Sequence, residues 1–202
     1  MHPRKDARRG RSISRKGILF VLSAPSGSGK STLVARIRQV FPDMLYSISC
    51  TTRSPRAGET EGVHYHFLGR QQFRQMIEHD QFLEWKEVHS DLYGTPAEPV
   101  MQALESGRRM ILDIDVKGAG EVFRKVDKAV GVFVSPPDME VLEQRLRLRG
   151  TDSEQSISTR MGNAAKEMNA VSLFRYHIVN DDLDKAVDEL ASIIRTESAA
   201  RG

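Results

Sequence analysis

Hydrophobic residues occur along the chain in short continuous runs that alternate with amphipathic stretches. Residues 17–23 form an apolar run of strand length, which is typical of a strand buried on both faces of a parallel sheet. Residues 110–115 and 129–135 have the same character, and residues 177–180 form a fourth such run. We therefore predict an α/β fold in which helices cover both faces of a parallel sheet. The spacing of apolar positions predicts helices at residues 30–40, 96–106, 118–125, 138–148, 157–174 and 183–196.

Residues 47–93 do not follow this pattern. Two polar, alternating segments, at residues 63–67 and 82–89, surround one short predicted helix near residues 71–79. Such a mixture is typical of a small α+β unit rather than of a further strand and helix of the main sheet. We expect this unit to lie as an insert over the carboxyl edge of the sheet.

Basic residues are concentrated at the N-terminus. The whole chain of 202 residues has a formal net charge of +3 and a pI near 9.1, values that would suit a nucleic-acid-binding protein. Residues 1–16, however, hold seven basic side chains and one acidic one, so the remaining 23 basic and 26 acidic residues give a net charge of −3. We therefore expect no nucleic-acid partner for the body of the protein. Residues 1–16 are predicted to be a basic, disordered tail, although their Arg-rich composition also weakly resembles an organelle transit segment.

Cys50 is the only cysteine, which excludes an internal disulfide and a cluster of cysteine thiolates around a metal. The longest apolar run near the N-terminus, residues 18–22, is too short for a membrane span or for the core of a signal peptide. These features predict a cytoplasmic protein with no membrane partner.

A glycine-rich turn follows the first predicted strand directly. It fits the phosphate-loop pattern at every position but the first, where Ala24 replaces a glycine. Gly27 and Gly29 allow successive backbone N–H groups to point at phosphate oxygens, and the positive end of the next helix adds to the attraction. Lys30 supplies a charge for the β and γ phosphates, and the Ser31 hydroxyl can bind Mg²⁺. The alternative is a glycine turn that only caps the helix, but its place between a buried strand and a helix favours nucleotide binding.

A second candidate anion site lies in the predicted insert. Arg53 and Arg56 are three residues apart in a non-helical segment that contains a proline. Two planar guanidinium groups so placed can converge on one phosphate dianion. Taken alone, the pair fits two solvated surface arginines better, since these are common.

Seven short motifs occur in order along the chain: residues 23–31, 51–59, 82–85, 93–95, 112–115 and 149–154, and Tyr65 within residues 63–67. At this spacing they are similar to the motifs of the guanylate kinase family, of bacterial and yeast type, over nearly all of residues 17–196. The resemblance implies a P-loop NTPase-type fold and a nucleoside monophosphate kinase that transfers the γ-phosphoryl group of ATP to GMP, with Mg²⁺ as cofactor. The products would be ADP and GDP, so the enzyme would act in purine nucleotide metabolism and GMP recycling.

The resemblance also divides the chain into functional parts. Residues 17–202 would form the guanylate kinase domain. Within it, residues 49–95 would be the GMP-binding insert, and residues 138–168 would be a helical lid. The core would comprise residues 17–48, 96–137 and 169–202.

For the ATP side, the resemblance implies that Ser31 holds Mg²⁺. Asp113 would either assist through a water molecule or orient Arg53, and both roles stay open. Asn180 would lie near the adenine of ATP. The alternative is that this segment only caps the last helix, for which Asp181 and Asp182 are suited. The ATP-binding residues are then Ala24, Pro25, Ser26, Gly27, Ser28, Gly29, Lys30, Ser31, Thr32 and Asn180.

For the GMP side, the resemblance implies two groups of residues. Two arginines and two tyrosines would bind the phosphate, namely Arg53, Arg56, Tyr65 and Tyr93. Four polar residues would read the guanine base, namely Ser49, Glu84, Thr95 and Asp115. Glu59 would brace the phosphate-binding segment, and Asp113 would lie beside the GMP site.

Glu84 has a physical argument of its own. A carboxylate can accept hydrogen bonds from both the N1–H and the 2-amino group of guanine, whereas adenine has an unprotonated N1 and no 2-amino group. The alternative is a solvated carboxylate on a surface strand. Asp113 and Asp115 end an apolar strand at its carboxyl edge, where α/β sheets bind ligands. Both would also serve as caps of the following helix.

Basic residues surround the polar turn between the two predicted lid helices. Charge runs of this kind are usually solvated, which is the alternative here. The resemblance implies that Arg149 and Arg160 contact the transferring phosphoryl group, where they would act with Lys30 and Arg53 as catalytic residues. The acceptor phosphate is already ionised near neutral pH, so the site requires no general base.

Two other functions stay open at this point. A related P-loop kinase that acts on a phosphorylated sugar would not need Glu84 or the paired arginines. A binding module of the scaffold type would have lost catalysis, and the presence of Gly29, Lys30 and Arg149 argues against that loss.

Overall fold

The computed structural model describes residues 17–148, 150 and 153–201. The predicted tail at residues 1–16 and the predicted catalytic residue Arg149 lie outside this part of the chain. No helix within it is both long and apolar enough to cross a membrane. The strands are β1 (Ile18–Ser23), β2 (Leu45–Tyr46), β3 (Cys50–Thr51), β4 (His66–Phe67), β5 (Phe82–Val88), β6 (Asp91–Pro96), β7 (Arg109–Asp113), β8 (Val130–Ser135) and β9 (Tyr176–Val179). The helices are α1 (Lys30–Val40), α2 (Arg70–Glu78), α3 (Ala97–Glu105), α4 (Val116–Lys125), α5 (Met139–Leu148), α6 (Glu154–Met168) and α7 (Leu183–Ala199), with a 3₁₀ turn at Val171–Leu173.

Five parallel strands form the main sheet, in the order β2-β7-β1-β8-β9. Every residue of β1 and β8 is buried. Their continuous apolar sequences suit this position, because both faces of each strand point into packed layers. The predicted α/β fold with a parallel sheet is confirmed, and the carboxyl ends of β1, β7 and β8 meet at one edge.

Alternate residues of β1 point into two separate hydrophobic layers. Phe20 packs in one layer with Leu33 of α1 and Leu190 of α7. Val21 lies in the other layer, which α3 and α4 cover and which includes Leu104. Burying each such side chain contributes about 1.5–3 kcal/mol. Helices therefore cover both faces of the sheet, as predicted, and they fix the edge from which the glycine-rich turn leaves β1.

A second sheet, of order β4-β3-β6-β5, forms the insert. β5 and β6 pair antiparallel through a tight turn in which His89 and Ser90 have positive φ. α2 packs on this sheet, and its Phe73 stacks on Phe82 with ring centroids 4.4 Å apart. Cys50 lies in the same small core, where burial raises the pKa of its thiol to about 11. This cysteine is therefore a core residue and not a nucleophile at neutral pH.

The polar pattern located this α+β unit but missed two of its strands. β6 contains a glycine and a proline, and β3 has only two residues, so neither has a readable alternation. Of the predicted segment at residues 63–67, only His66–Phe67 is a strand, and one bridge pairs Glu61 with Tyr65.

α5 and α6 form a helical pair with its own small core. The predicted helix at residues 157–174 is wrong at both ends. α6 begins at Glu154, because the Ser153 hydroxyl caps it by accepting from the Ser156 N–H at 3.2 Å. It ends at Met168, and the chain then turns so that Phe174 packs edge-on against Phe123 at 5.5 Å. The buried residues that α5 and α6 share are Leu142, Leu146, Ile157 and Ala164.

Candidate active site

A cavity of about 680 Å³ lies where the carboxyl edge of the main sheet faces the insert. Three parts of the chain form its walls: the glycine-rich turn after β1, the insert, and the segment after β7. Its size and position are typical of a ligand site in an α/β protein. The predicted site residues that line it are Ala24, Pro25, Ser26, Gly27, Gly29, Lys30, Ser31, Thr32, Ser49, Glu59, Tyr65, Glu84, Tyr93, Asp113 and Asp115.

The glycine-rich turn has the backbone that the phosphate-loop pattern requires. Gly27 has φ of 103° and Gly29 has φ of 85°, a region that residues with a Cβ rarely adopt. A Cβ at Gly29 would lie 2.5 Å from Nδ2 of Asn180, so space as well as φ requires glycine there. Ala24 is not among the described residues with positive φ, which explains why it can replace the first glycine. α1 begins directly after the turn, with Gly29 at its N-cap.

Asn180, which follows β9, holds the glycine-rich turn in place through a hydrogen bond. Its Nδ2 donates to the backbone oxygen of Ser28 at 2.7 Å, and both residues are buried. The backbone oxygen of Asn180 in turn accepts from Nη1 of Arg145 at 2.9 Å. A second cavity of about 400 Å³ adjoins this point, between Thr32, Arg145 and Leu183. The described contact of the Asn180 side chain is thus with the glycine-rich turn. Of the two predicted cap residues, Asp182 caps α7.

Lys30 lies at the centre of the cavity edge. Its Nζ forms an ion pair with Oδ1 of Asp113 at 2.5 Å and donates to the backbone oxygen of Ile114 at 2.9 Å. Asp113 therefore contacts Lys30 in this structure, and the two roles that the sequence left open stay predictions. Ser31 and Thr32 are exposed, and both line the cavity.

The donor set at this edge fits Mg²⁺ in the way that nucleotide sites hold it. The described residues contain no group of three or more His, Cys, Asp or Glu residues that would enclose a metal ion. Mg²⁺ keeps several waters and commonly takes only one or two protein oxygens together with substrate phosphates. The exposed hydroxyl of Ser31 and the carboxylate of Asp113 provide oxygens of that kind.

Arg53 and Glu59 form the most tightly bound pair of the insert. Nη1 and Nη2 of Arg53 donate to the two carboxylate oxygens of Glu59 at 2.6 and 2.8 Å, and Nε donates to the hydroxyl of Tyr93 at 3.3 Å. The guanidinium lies 5.2 Å from the ring centroid of Tyr65. The Arg53 side chain, followed by the backbone N–H of Arg56, lowers the pKa of Glu59 to about 2. Glu59 therefore braces this segment from both ends, as the resemblance implied.

The two arginines of the segment differ in their contacts with Glu59. The guanidinium of Arg53 binds the carboxylate, whereas Arg56 is exposed and donates to it through its backbone N–H at 2.8 Å. The charges of both arginines favour the ionised form of Glu59. Neither arginine is among the residues that line the cavity. The Glu59 carboxylate occupies the guanidinium of Arg53 as a phosphate would, and the convergence of both arginines on one phosphate stays a prediction.

Glu84 is buried at the other end of the cavity, with 7% of its surface exposed. Its Oε1 accepts from the hydroxyl of Thr95 at 2.6 Å, across the antiparallel pair of β5 and β6. Burial raises the pKa of Glu84, the Thr95 hydroxyl opposes this shift, and the negative charge of Asp115 adds to it. Glu84 is thus an inward-facing carboxylate and not a solvated one.

Asp115 joins this pocket from the opposite wall. Its Oδ1 accepts from the Gly118 N–H at 2.8 Å and so caps α4, which is why β7 ends at Asp113, two residues before its predicted end. Its Oδ2 forms an ion pair with Lys86. Burial alone would raise the pKa of Asp115, but the Gly118 N–H and the Lys86 ammonium hold it below its usual value. The cap and the pocket position therefore occur together in one residue.

The pair of helices α5 and α6 contacts the glycine-rich turn through Arg160 of α6. Its Nη1 donates to the hydroxyl of Ser26 at 3.3 Å. This contact joins two segments that are far apart in the sequence and brings a guanidinium to the phosphate end of the cavity.

Sequence comparison identifies the family to which this arrangement belongs. A family model described as Guanylate kinase matches residues 16–197. The chain belongs to the guanylate kinase family. The matched segment contains every residue that lines the main cavity. The similarity to the guanylate kinase family therefore extends over the site as well as over the fold.

Individual guanylate kinases are similar over most of their length. The guanylate kinase of Carboxydothermus hydrogenoformans is 48% identical over 182 residues, which cover 90% of this chain and 89% of the relative. That of Caldanaerobacter subterraneus subsp. tengcongensis is 45% identical over 186 residues, which cover 92% of this chain and 90% of the relative. The crystal structure of guanylate kinase from Anaplasma phagocytophilum matches with a TM-score of 0.73 and 30% identity, covering 90% of this chain and 86% of that one. The family and fold predicted from the motifs are confirmed.

Four charged residues of the site were not predicted as site residues, and one of them is Arg38 of α1, which lines the cavity. Lys86 lines the cavity two residues after Glu84, so the alternation of the strand would have found it. Glu167 of α6 also lines the cavity, and Arg145 binds the backbone after β9. Neither of these two has a local sequence signal, because each meets the site only through the packing of the lid.

Proposed function

We propose that this protein is an ATP:GMP phosphotransferase, a guanylate kinase that converts ATP and GMP into ADP and GDP. The observation that carries the proposal is one cavity whose walls include Lys30 and Ser31 at one end and Glu84 and Tyr93 at the other. The names of the relatives at 45–48% identity support the same activity.

We infer that the phosphates of ATP bind to the glycine-rich turn. The positive φ of Gly27 and Gly29, and the helix that starts at Lys30, support this because they turn N–H groups and a positive dipole end toward an anion. The adenosine would occupy the second cavity, beside Asn180 and Arg145. Lys30 would exchange the carboxylate of Asp113 for the β and γ phosphates, which its flexible side chain permits.

GMP would bind between the insert and Asp115. The buried carboxylate of Glu84 would accept from N1–H and the 2-amino group of guanine, with Ser49, Thr95 and Asp115 completing the base site. The GMP phosphate would take over the guanidinium of Arg53 from Glu59 or share it, and Tyr93 is already hydrogen-bonded to that group. Tyr65 and Arg56 would complete the phosphate site.

Catalysis would consist of positioning and charge stabilisation. The acceptor is a phosphate oxygen that needs no deprotonation, so guanidinium and ammonium groups acting on the transferring phosphoryl group suffice. We assign this role to Lys30, Arg53, Arg149 and Arg160. Mg²⁺, held by Ser31 and the ATP phosphates with Asp113 near it, would neutralise charge on the transferring group.

We further propose that the chain works as three parts. The core is formed by residues 17–48, 96–137 and 169–202, the GMP-binding insert by residues 49–95, and the lid by residues 138–168. Closure of the insert and lid over both nucleotides would exclude water from the phosphoryl group. The free, buried thiol of Cys50 is compatible with a reducing compartment, so we assign the reaction to the cytoplasm.

A coupled assay for ADP formation tests the function directly. With ATP and Mg²⁺ we expect turnover that depends on GMP and is far slower with AMP at the same concentration. Folded protein that binds ATP but forms no ADP with GMP would contradict the proposal. Equal turnover with a phosphorylated sugar that has no purine base would favour the second type of kinase.

A further inference from the structure

Lys86 lies on the wall of the acceptor end, among residues to which the reaction assigns a role. It follows Glu84 by two residues on β5, so both side chains lie on the same face of the insert sheet. In the register of the sheet, Glu84 lies opposite Thr95 and Lys86 lies opposite Tyr93. Lys86, Glu84 and Tyr93 all line the main cavity. The ammonium group therefore lies between the proposed base site and the proposed phosphate site.

Two carboxylates lie next to this ammonium group. Lys86 forms an ion pair with Asp115, and Glu84 lies two residues before it on the same strand. Burial and the charge of Asp115 raise the pKa of Glu84, and the charge of Lys86 opposes this shift. Glu167 of α6 lines the same cavity, but it accepts from the backbone N–H of Ser26 and so lies at the glycine-rich turn. Without Lys86, Glu84 and Asp115 would lose the ammonium group next to them.

Two other cations with proposed roles have carboxylate partners of their own. Lys30 is bound to Asp113, and Arg53 is bound to Glu59. Arg38 also lines the cavity, and its guanidinium lies over the ring of Tyr46, 4.8 Å from the ring centroid. A nucleoside monophosphate carries two negative charges near neutral pH, and like charges in a partly desolvated site repel strongly. The side chain of Lys86 is 41% exposed, so it can follow the ligand without a large desolvation cost.

We propose that Lys86 is a positioning residue of the acceptor site. Its ammonium group holds Asp115 in place and offsets the negative charge of Glu84 and Asp115, so that a nucleoside monophosphate dianion can enter. This inference rests on the proposed function and adds a specific determinant of GMP affinity to it. ATP binds at the opposite end of the cavity, so its affinity does not depend on Lys86.

The test is steady-state kinetics of Lys86→Met with GMP and ATP varied separately. We expect KM for GMP to rise about tenfold or more, which corresponds to about 1.4 kcal/mol of lost binding free energy. KM for ATP should stay within about twofold of the parent value, since salt screens the charge of Lys86 from an ATP molecule at the other end of the cavity. Lys86→Arg should restore most of the affinity for GMP, because it restores the charge. Lys117→Met is the matched control, since Lys117 is exposed on the first turn of α4, outside the cavity.

Three results would overturn the inference. The first is an unchanged KM for GMP in Lys86→Met, and the second is an equal rise in KM for both substrates. The third is a Lys86→Arg variant as impaired as Lys86→Met. Thermal unfolding of each variant checks the fold, and Lys86→Gln replaces Lys86→Met if the latter is unfolded. A parent enzyme with no GMP-dependent turnover would overturn the proposed function as well, whereas an active parent with an unaffected variant overturns this inference alone.

Discussion

The two ends of the cavity differ in whether backbone or side-chain groups form them. The ATP end consists mainly of backbone: one contiguous turn between β1 and α1, with two glycines of positive φ, tied by the amide of Asn180. The GMP end consists of side chains from the hairpin of β5 and β6 and from the start of α4, which comes after α3 and β7 in the sequence. A backbone site must have its final shape before the ligand arrives, whereas a side-chain site can exchange partners when the ligand binds.

Charged side chains are paired at both ends. At the GMP end, Arg53 is paired with Glu59 and Asp115 with Lys86. At the ATP end, Lys30 is paired with Asp113. In the proposed function, Lys30 and Arg53 would each exchange a carboxylate partner for phosphate, so the two ends differ in their backbone and not in their charge pairing. We therefore expect substitutions in the backbone-built ATP end to abolish nearly all activity. Substitutions at the GMP end should reduce affinity or selectivity for GMP by smaller amounts that differ from residue to residue.

Lys30→Ala should have the largest effect. Removing the ammonium group from the transferring phosphates should lower kcat by about a thousandfold or more. The fold should survive, because Lys30 lies at a cavity edge and not in the core. A coupled assay and thermal unfolding measure the two quantities, with Lys117→Ala as the control that keeps full activity. A Lys30→Ala enzyme with more than about a tenth of the parent rate would contradict the role of this end.

Gly29→Ala should come next, since it tests the backbone directly. The new methyl group would lie 2.5 Å from Nδ2 of Asn180 at a φ of 85°, so we expect a loss of about 1–3 kcal/mol in the free energy of unfolding and much weaker ATP binding. Gly120→Ala is the matched control: Gly120 is inside α4, and a methyl group there meets no atom within 4 Å. That variant should be as stable as the parent or more so. Equal behaviour of the two variants in urea unfolding would count against the account of the turn.

Glu84→Gln should reduce the preference for guanine. Glutamine offers one acceptor oxygen and places an N–H₂ donor against guanine donors, so kcat/KM for GMP relative to AMP should fall by about tenfold to a hundredfold. The proposed phosphate-binding side chains are untouched, so some turnover should persist. Glu78→Gln, on the outside of α2, serves as the control. If the Glu84 variant discriminates as well as the parent, the base-reading assignment is wrong.

We also expect the stability of the parent and of Glu84→Gln to depend differently on pH. Burial raises the pKa of Glu84 in the folded protein above its value in the unfolded chain, so the folded protein binds a proton at Glu84 more tightly. The stability that this proton contributes is therefore fully present below the pKa of the unfolded state and is lost as the pH rises through the pKa of the folded state. Glu84→Gln lacks this loss, so it should gain stability relative to the parent from acidic toward neutral pH. Unfolding curves of both proteins across this range measure the difference, and parallel pH profiles would contradict it.

Glu59→Gln should have the smallest effect. It weakens the brace that holds Arg53, yet the guanidinium itself stays available for phosphate. We expect KM for GMP to change by about two- to fivefold and KM for ATP to stay constant. An effect as large as that of Lys30→Ala would mean that Glu59 contacts the reacting groups. The comparison between the two ends would then fail.

The difference between the two ends also explains which site residues could be predicted from the sequence. The turn after β1 is one contiguous segment with a defined chemistry, and the prediction of its glycines, of α1 and of the buried strands is confirmed by the structure. The acceptor residues were predicted through family motifs, since nothing local to Thr95 or Asp115 shows that both meet Glu84. β6 was missed because its glycine and proline hide the alternation. Lys86 was missed although it follows Glu84 by two residues on the same strand, whereas Glu167 was missed because it reaches the cavity from another element.

In the proposed function, two nucleotides bind at opposite ends of one cavity with their phosphates facing each other. Titration calorimetry with a compound that joins adenosine and guanosine through five phosphates tests it most directly. One molecule should bind per chain, at least about a hundredfold more tightly than ATP or GMP alone, because both ends are engaged at once. Binding no tighter than that of the better single nucleotide, or of two molecules per chain, would contradict the claim.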